Sequence, residues 1–269
     1  MLSRKNKILI LGSTGMLGYN LENVLKKNNI IFFKTSRKRK VGYIKFNASI
    51  DSLDKLPKCE YYINCIGVIN KLINKKNIIE TININTIFPH RLSEFCNKKK
   101  IKLIHISTDC VYSGKKGNYI ETDIHDPTDI YGKTKSLGEP TNCMTIRTSI
   151  IGEEKSNSKS LVEWVKKQKH KEINGYLNHI WNGLTAKHLS EIILKIIKRG
   201  VYTKKLLHLY SEKSVNKYQL IKYIDHKFKL NCKIKKYIHK NSINRSLKSK
   251  YNYQKNLKII SIKQQVEEM

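Results

Sequence analysis

A short apolar run, Lys7 to Leu11 (KILIL), is followed at once by glycine at every third position: Gly12, Gly15 and Gly18. Few arrangements restrict a chain more. The run has the length and composition of a buried parallel strand. Leu17, Leu21, Val24 and Leu25 then mark one face of a helix. A strand, a glycine turn and a helix let the backbone approach a pyrophosphate and set a helix N-terminus against its charge. The chain holds only 13 Gly, so this spacing directly behind a strand is informative. Gly12, Thr14, Gly15, Met16, Leu17 and Gly18 form the expected phosphate-binding segment.

The pattern continues along the chain. Ile30–Phe33 is the expected second strand. Dinucleotide folds often carry an acid for the adenosine ribose about twenty residues beyond the last motif glycine. Here the segment is Thr35-Ser36-Arg37-Lys38-Arg39-Lys40, with no acid. Ser36 and Arg37 suit a 2′-phosphate, which favours NADPH and leaves NADH open. Val41–Phe46 is a third strand with Asn47 behind it as a candidate adenine contact, and Tyr61–Ile66 is a fourth. Cys65, Ile66 and Gly67 would lie along the cofactor. Ile82–Cys96 reads as a helix, with Asn85 as a structural or relay polar group. Strands at Lys102–Ile106, Cys143–Thr148 and Leu206–Tyr210 alternate with helices at Lys159–Lys169, His188–Lys198 and Asn216–Phe228. Ile180–Thr185 reads as a loop, and Tyr112–Thr128, with Gly114, Gly117 and Pro127, as a mobile one. Such alternation predicts an α/β fold: a Rossmann-type doubly wound parallel sheet with a smaller C-terminal substrate-binding lobe. Residues 1–150 would bind the cofactor and 151–269 mainly the substrate, with 182–211 returning to the first unit.

The chemistry concentrates between Ser107 and Glu139. Ser107, Thr108 and Asp109 stand at the end of an apolar strand, and Tyr131 and Lys135 follow on one expected helix face. Tyr112, Tyr218, Tyr223 and Tyr251 also precede a Lys by four residues, but only Tyr131 has the strand-end hydroxyls upstream. Reducing a ketone builds negative charge on oxygen, which needs a proton donor and a hydrogen bond already aimed at it. Tyr131 is the expected donor, Thr108 the second hydrogen bond, and Lys135 the cation expected to lower the phenol's pKa.

Lys plus Arg number 53 against 21 Asp plus Glu, a formal net charge of +32. The cations are mostly Lys, scattered with Asn and Ile, and Arg, the residue of bidentate phosphate and base recognition, is rare. This is charge on solvated faces, and no nucleic-acid partner is expected. Six Cys fall at no metal-ligand spacing, so free thiols and no metal are expected. The apolar run after Met1–Lys7 stops at Gly12, too short for a signal peptide, and no stretch is long enough for a membrane span. The expectation is a soluble, cytoplasmic protein, with a homodimer left open.

Taken together, Gly12-x-x-Gly15-x-x-Gly18, Ser107-Thr108-Asp109-x-Val111-Tyr112-x-Gly114 and Tyr131-Gly132-Lys133-x-Lys135-x-x-Gly138-Glu139 resemble the extended short-chain dehydrogenase/reductases. Arg147-Thr148-Ser149, Gly183-Leu184-Thr185 and Asn244-Arg245-Ser246 add to a likeness to the dTDP-4-dehydrorhamnose reductase family. The resemblance implies reduction of a 4-keto nucleotide sugar. It implies Thr108, Tyr131 and Lys135 as catalytic residues, Tyr131 and Lys135 also touching the cofactor. It implies substrate contacts at Thr108, Asp109, Thr185 and Arg245, while Arg147 stays open between a substrate contact and a buried structural role. Cys110 and Ile150 depart from residues that many relatives carry, so UDP- and dTDP-linked sugars, with or without a 2-acetamido group, stay open. An epimerase on the same fold is an alternative. So is a non-catalytic NADP-binding subunit like that of methionine adenosyltransferase.

Overall fold

A computed structural model of the chain describes residues 8–155 and 160–269. Lys7 and Lys159, which begin an expected strand and an expected helix, lie outside them. β1 (Ile8–Leu11) is buried along its whole length. It turns at Gly12 into α1 (Met16–Lys27), which buries Leu17, Leu21, Val24 and Leu25. β2 (Phe32–Ser36), β3 (Ile44–Lys45) and β4 (Tyr61–Asn64) follow. α2 (Ile78–Ile82) continues through a π-helical turn, Asn83–Ile87, into α3 (Phe88–Lys98). Next come β5 (Lys102–Ile106), α4 (Ile130–Leu137), β6 (Met144–Arg147) and β7 (Ile150–Ile151). α5 (Leu161–Lys166), β8 (Glu172–Tyr176), β9 (His179–Trp181) and β10 (Leu184–Thr185) lead to α6 (Ala186–Arg199) and β11 (Leu206–His208). The rest is β12 (Val215–Asn216), α7 (Lys217–Phe228), β13 (Lys233–Tyr237), β14 (Ile243–Asn244) and α8 (Ile262–Glu267).

One seven-stranded parallel sheet, in the order β11-β6-β5-β4-β1-β2-β3, organises the fold. Both faces are covered, as a parallel sheet requires. Ile8, Ile10, Ile63 and Ile104 meet Leu21, Leu25, Ile192 and Ile196 of α1 and α6 on one face. Leu9, Leu11, Tyr62 and Leu103 meet Phe88, Leu92 and Cys96 of α3 on the other. A separate apolar cluster holds the lobe, with Val162, Val165, Ile221, Ile224, Ile262 and Val266 from α5, α7 and α8. Strand order reverses between β1 and β4, and ligands of such sheets bind outside the carboxyl ends at that point. Gly12, Cys65 and Ser107 stand at those ends.

Several expected elements shift. The second strand starts later and takes in Thr35 and Ser36, because the register with β1 begins at Ile8–Phe32. The third shrinks to Ile44–Lys45, since Val41 is exposed and Gly42 has φ of 75°. The helix expected over 82–96 begins at Ile78, with a π turn at Asn85 that no 3.6-residue periodicity would show. Ile180–Thr185, expected as a loop, contains parts of β9 and β10, both paired to other strands. The segment Tyr112–Thr128, expected to be mobile, is fastened. Tyr112 and Tyr119 stack with centroids 4.1 Å apart, Tyr119 bridges to Leu247, and the Ser113 amide and hydroxyl donate to Asp126 at 2.7 and 2.5 Å.

The glycine turn is sterically locked. Gly12 has φ of 82°, and a Cβ on Gly18 would lie 2.3 Å from the Gly12 carbonyl oxygen. Gly18→Ala should therefore lower unfolding stability by about 1–3 kcal/mol through overpacking. Gly15→Ala, whose Cβ would meet the same oxygen at an ordinary 3.5 Å, should change it little. Urea midpoints of the two variants check this, and equal midpoints would contradict the packing argument.

Candidate active site

The turn after β1 is held open by its neighbours. The Gly12 amide donates to Thr35 Oγ1 at 3.1 Å, and Thr35 Oγ1 donates to the Ile10 carbonyl at 3.4 Å. Gly15 caps α1 without any side-chain hydrogen bond, and the first turn carries no acid. Its amides are thus available to a phosphate, at the positive end of the helix dipole. Thr14 and Gly15 are exposed, Met16 is half-buried, and Leu17 and Gly18 are buried beneath. Ser36 ends β2, buried, and the exposed Arg37 guanidinium lies 3.4 Å from Glu80. Asn47 is half-buried, its carboxamide oxygen accepting from the Ser49 amide at 3.1 Å. The Cys65 amide donates to the Leu11 carbonyl at 3.0 Å, which lays Cys65, Ile66 and Gly67 beside the turn. Asn85 clasps the next residue, accepting from the Val68 amide at 2.8 Å and donating to its carbonyl at 3.0 Å. The same carboxamide donates to Thr134 Oγ1 of α4 at 3.2 Å. An open helix N-terminus, a turn with glycine at both ends and a basic residue beyond β2 fit a dinucleotide.

The reactive groups converge at the end of β5. Thr108 caps the turn Asp109–Val111, its Oγ1 accepting from the Cys110 amide at 3.1 Å and donating to Asp109 Oδ1 at 3.2 Å. Asp129 caps α4, accepting from the Gly132 amide at 2.7 Å, and thereby fixes the helix that carries Tyr131 and Lys135. Tyr131, half-buried at the start of α4, lies near enough to Thr108 for that side chain to act on its phenol. Lys135, 3% exposed, donates from Nζ to the Ile106 carbonyl at 2.9 Å. Burial lowers its pKa to about 8, against the opposing pull of Glu139 and Cys65. The expected lowering of the Tyr131 pKa is not seen, and Lys135 is not among the largest influences on it. Burial, then Cys110, push the phenol above its ordinary range, and the Thr108 hydrogen bond only partly opposes them. Tyr131 is therefore a protonated phenol at neutral pH. Asp109 is buried and its carboxyl pushed upward by desolvation, with Arg245 pulling the other way. Arg245 Nε donates to the Tyr112 carbonyl at 2.9 Å and Nη1 lies 3.6 Å from Cys110 Sγ.

Against known proteins, the model of a family described as the RmlD substrate binding domain matches residues 6–263. The chain belongs to that family. It is 28% identical over 137 residues to the dTDP-4-dehydrorhamnose reductase of Aggregatibacter actinomycetemcomitans, covering 49% of this chain and 45% of that protein. It is 27% identical over 221 residues to the spore coat polysaccharide biosynthesis protein SpsK of Bacillus subtilis, covering 73% of this chain and 72% of that protein. The solved dTDP-4-dehydrorhamnose reductase of Bacillus anthracis, in complex with NADP, superposes with a TM-score of 0.80 over 98% of both chains at 19% identity. That of Clostridium acetobutylicum superposes with a TM-score of 0.77 over 97% of both at 21% identity, and these two likenesses show the fold.

Thr185, which the resemblance assigned to substrate, and Arg147, open between substrate and structure, both have structural work in this RmlD-family chain. Arg147 is 3% exposed and all three guanidinium nitrogens are engaged by protein groups. Nε and Nη2 donate to Glu139 at 2.9 and 2.7 Å, Nη1 donates to the Tyr112 hydroxyl at 2.6 Å, and Nη2 also meets His125 Nε2. Thr185 is 1% exposed and caps α6, its hydroxyl oxygen accepting from the His188 amide at 3.2 Å. The Thr185 amide donates to Gln265 Oε1 at 2.8 Å. Neither side chain is open to a ligand.

Sequence reasoning missed Thr35, the brace of the glycine turn, and Glu139 as the partner of Arg147 and of the Ser107 hydroxyl. Thr35 had no local signal. Glu139 did: it lies four residues beyond Lys135, on the same helix face extended past the cap.

Two outcomes follow. Arg147→Ala should destabilise the protein by about 3–5 kcal/mol, because it strands a buried carboxylate. A residue that only touched substrate would move stability by less than about 0.5 kcal/mol, and chemical denaturation separates the two. Lys135 has a folded pKa of about 8, below its unfolded value, so below pH 8 the buried charge opposes folding. As pH rises from 8 towards 10.5, the unfolded state holds the extra proton and the opposition fades. The stability of the wild type relative to Lys135→Met should therefore rise across that window, by ~3 kcal/mol at most. Parallel urea titrations at pH 7 and pH 10 test it, and a flat difference would refute the buried charge.

Proposed function

We propose that this chain is an NADPH-dependent reductase of the 4-keto group of a nucleotide-activated 6-deoxy-hexosulose, UDP- or dTDP-linked, serving glycan biosynthesis. What supports the reading is the nearness of Thr108 and Tyr131 at the carboxyl end of β5, with Lys135 Nζ bonded to the Ile106 carbonyl there, beside a turn suited to a dinucleotide. The names of the relatives, dTDP-4-dehydrorhamnose reductase and a spore coat polysaccharide biosynthesis protein, support it.

The open amides of α1, with Gly12, Thr14, Gly15, Met16, Leu17 and Gly18, would hold the cofactor's diphosphate. Ser36 and Arg37 would take the 2′-phosphate, Asn47 the adenine side, and Cys65, Ile66 and Gly67 the opposite wall. NADPH, when bound, supplies the hydride. Everything else falls to the chain. Thr108 donates a hydrogen bond to the substrate carbonyl oxygen and fixes its direction. As hydride reaches C4, negative charge grows on that oxygen, and Tyr131 transfers its phenolic proton to it, completing the alcohol. Tyr131 starts loaded, because burial keeps it protonated. Lys135 has three N–H donors and spends one on Ile106, leaving two for the nicotinamide ribose. Its charge also favours the tyrosinate left after proton transfer. Asp109 and Arg245 flank the sugar. In this reading residues of the parallel sheet hold the cofactor and the lobe built on α5, α7 and α8 holds the nucleotide sugar.

The test is NADPH oxidation with UDP- and dTDP-linked 4-keto-6-deoxy sugars, run beside NADH and beside Tyr131→Phe. The expected result is turnover with one sugar, faster with NADPH than with NADH, and reduced about 10²–10⁴-fold in the variant. Interconversion of the sugars without net NADPH oxidation would replace the reductase by an epimerase. NADPH binding with no conversion of either sugar would leave a non-catalytic binding protein.

A further inference from the structure

His125 stands in the segment between β5 and α4, and groups from three parts of the fold close around its ring. Nε2 meets Arg147 Nη2 at the end of β6. Nδ1 lies 2.6 Å from Ser136 Oγ on α4. The Tyr112 ring, from the start of the same segment, stands edge-on to it with centroids 5.7 Å apart. Chemistry fixes the roles in these bonds. A guanidinium only donates, so Nε2 must be bare and accept. The ring's one proton therefore sits on Nδ1 and is donated to Ser136.

An imidazolium has no bare nitrogen. Protonation at Nε2 would set N–H against N–H and one cation against another. Glu139 Oε2 lies 3.8 Å from Nε2, but that carboxylate already accepts from Arg147 through both oxygens and from the Ser107 hydroxyl. Burial, then Arg147, hold the ring below the usual histidine range, against the pull of Glu139 and Asp126. The side chain is 24% exposed, so protons from water reach it. The other ring on Arg147 is shut in. His208 of β11 is 1% exposed, lies 3.4 Å from Arg147 Nη1, and donates from Nδ1 to the Lys248 carbonyl at 2.8 Å.

What the His125 ring braces is the helix of the reactive pair. Ser136 follows Lys135 directly. Asn85 holds α4 through Thr134. Two residues turn a helix by about 200°, so Thr134 and Ser136 face opposite ways. His125 thus steadies the side of α4 that Asn85 does not.

We propose that His125 is a proton-sensitive positioning residue: as the neutral ring it ties α4 and the segment 112–128 to Arg147, and on protonation it lets both go. Its consequence for turnover rests on the reductase reading, because α4 carries Tyr131 and Lys135. The sign is fixed. The tie is complete above about pH 6.5, the ordinary histidine value, and is lost as pH falls below it.

Hydrogen exchange of the full chain, read by mass spectrometry at about pH 7.5 and pH 5 and corrected for intrinsic rates, tests the tie without substrate. In wild type, protection of 112–128 and of 130–137 should fall at least about tenfold on acidification. His125→Gln, which offers Arg147 an acceptor that does not titrate, should lose that response. His208→Gln should keep it. Ser136→Ala, a mild change on α4, should leave the response in 112–128 and remove it from 130–137. Equal protection of wild type at both pH values would overturn the proposal, as would a response that persists in His125→Gln or disappears in His208→Gln. An unchanged α4 response in Ser136→Ala would overturn it as well. Where a 4-keto sugar is turned over, kcat should drop on acidification in wild type and less in His125→Gln. Turnover with no His125-dependent exchange would sink the tie alone. A His125-dependent exchange with no turnover of any sugar would keep the tie and sink the reductase.

Discussion

Glu139 and Arg147 form the joint on which the reactive end of this molecule depends. The carboxylate lies just beyond α4, the guanidinium ends β6, and Ser107 at the end of β5 donates to the same carboxylate. Through Tyr112 the pair also reaches the fastened segment between β5 and α4. The two elements that carry Thr108, Tyr131 and Lys135, the end of β5 and α4, are thus registered against β6 by a buried, bidentate ion pair. Buried pairs add little net stability over an apolar replacement, but losing one partner is severe. Specific geometry, rather than net stability, is what this pair supplies here.

The same burial shapes the chemistry. Tyr131 and Lys135 occupy a dry site, and desolvation acts on them in opposite senses. It keeps the phenol protonated and makes the ammonium less secure. A reductase uses both results: a loaded acid before the hydride arrives, and a cation whose attraction for the departing negative charge is little screened by water. The sequence suggested that the lysine would depress the tyrosine. That view counted the two charges and left out the solvent that burial removes.

Much was legible before any coordinates. The apolar run and spaced glycines of residues 7–18, the alternation of strands and helices, and the hydroxyl-tyrosine-lysine order all follow from short-range rules. Such patterns depend on neighbours within a turn or a strand, so the sequence states them directly. What it could not state were the π turn that aims Asn85, the pairing of Ile180, and the occupation of Arg147 and Thr185 by protein groups. Each depends on residues far apart in the chain, and on how much water their contact excludes. The sequence by itself determined the parallel sheet and singled out Thr108, Tyr131 and Lys135 as candidates. Only the tertiary structure decided their protonation and which side chains the protein itself occupies, because desolvation and long-range contacts are properties of the assembled fold.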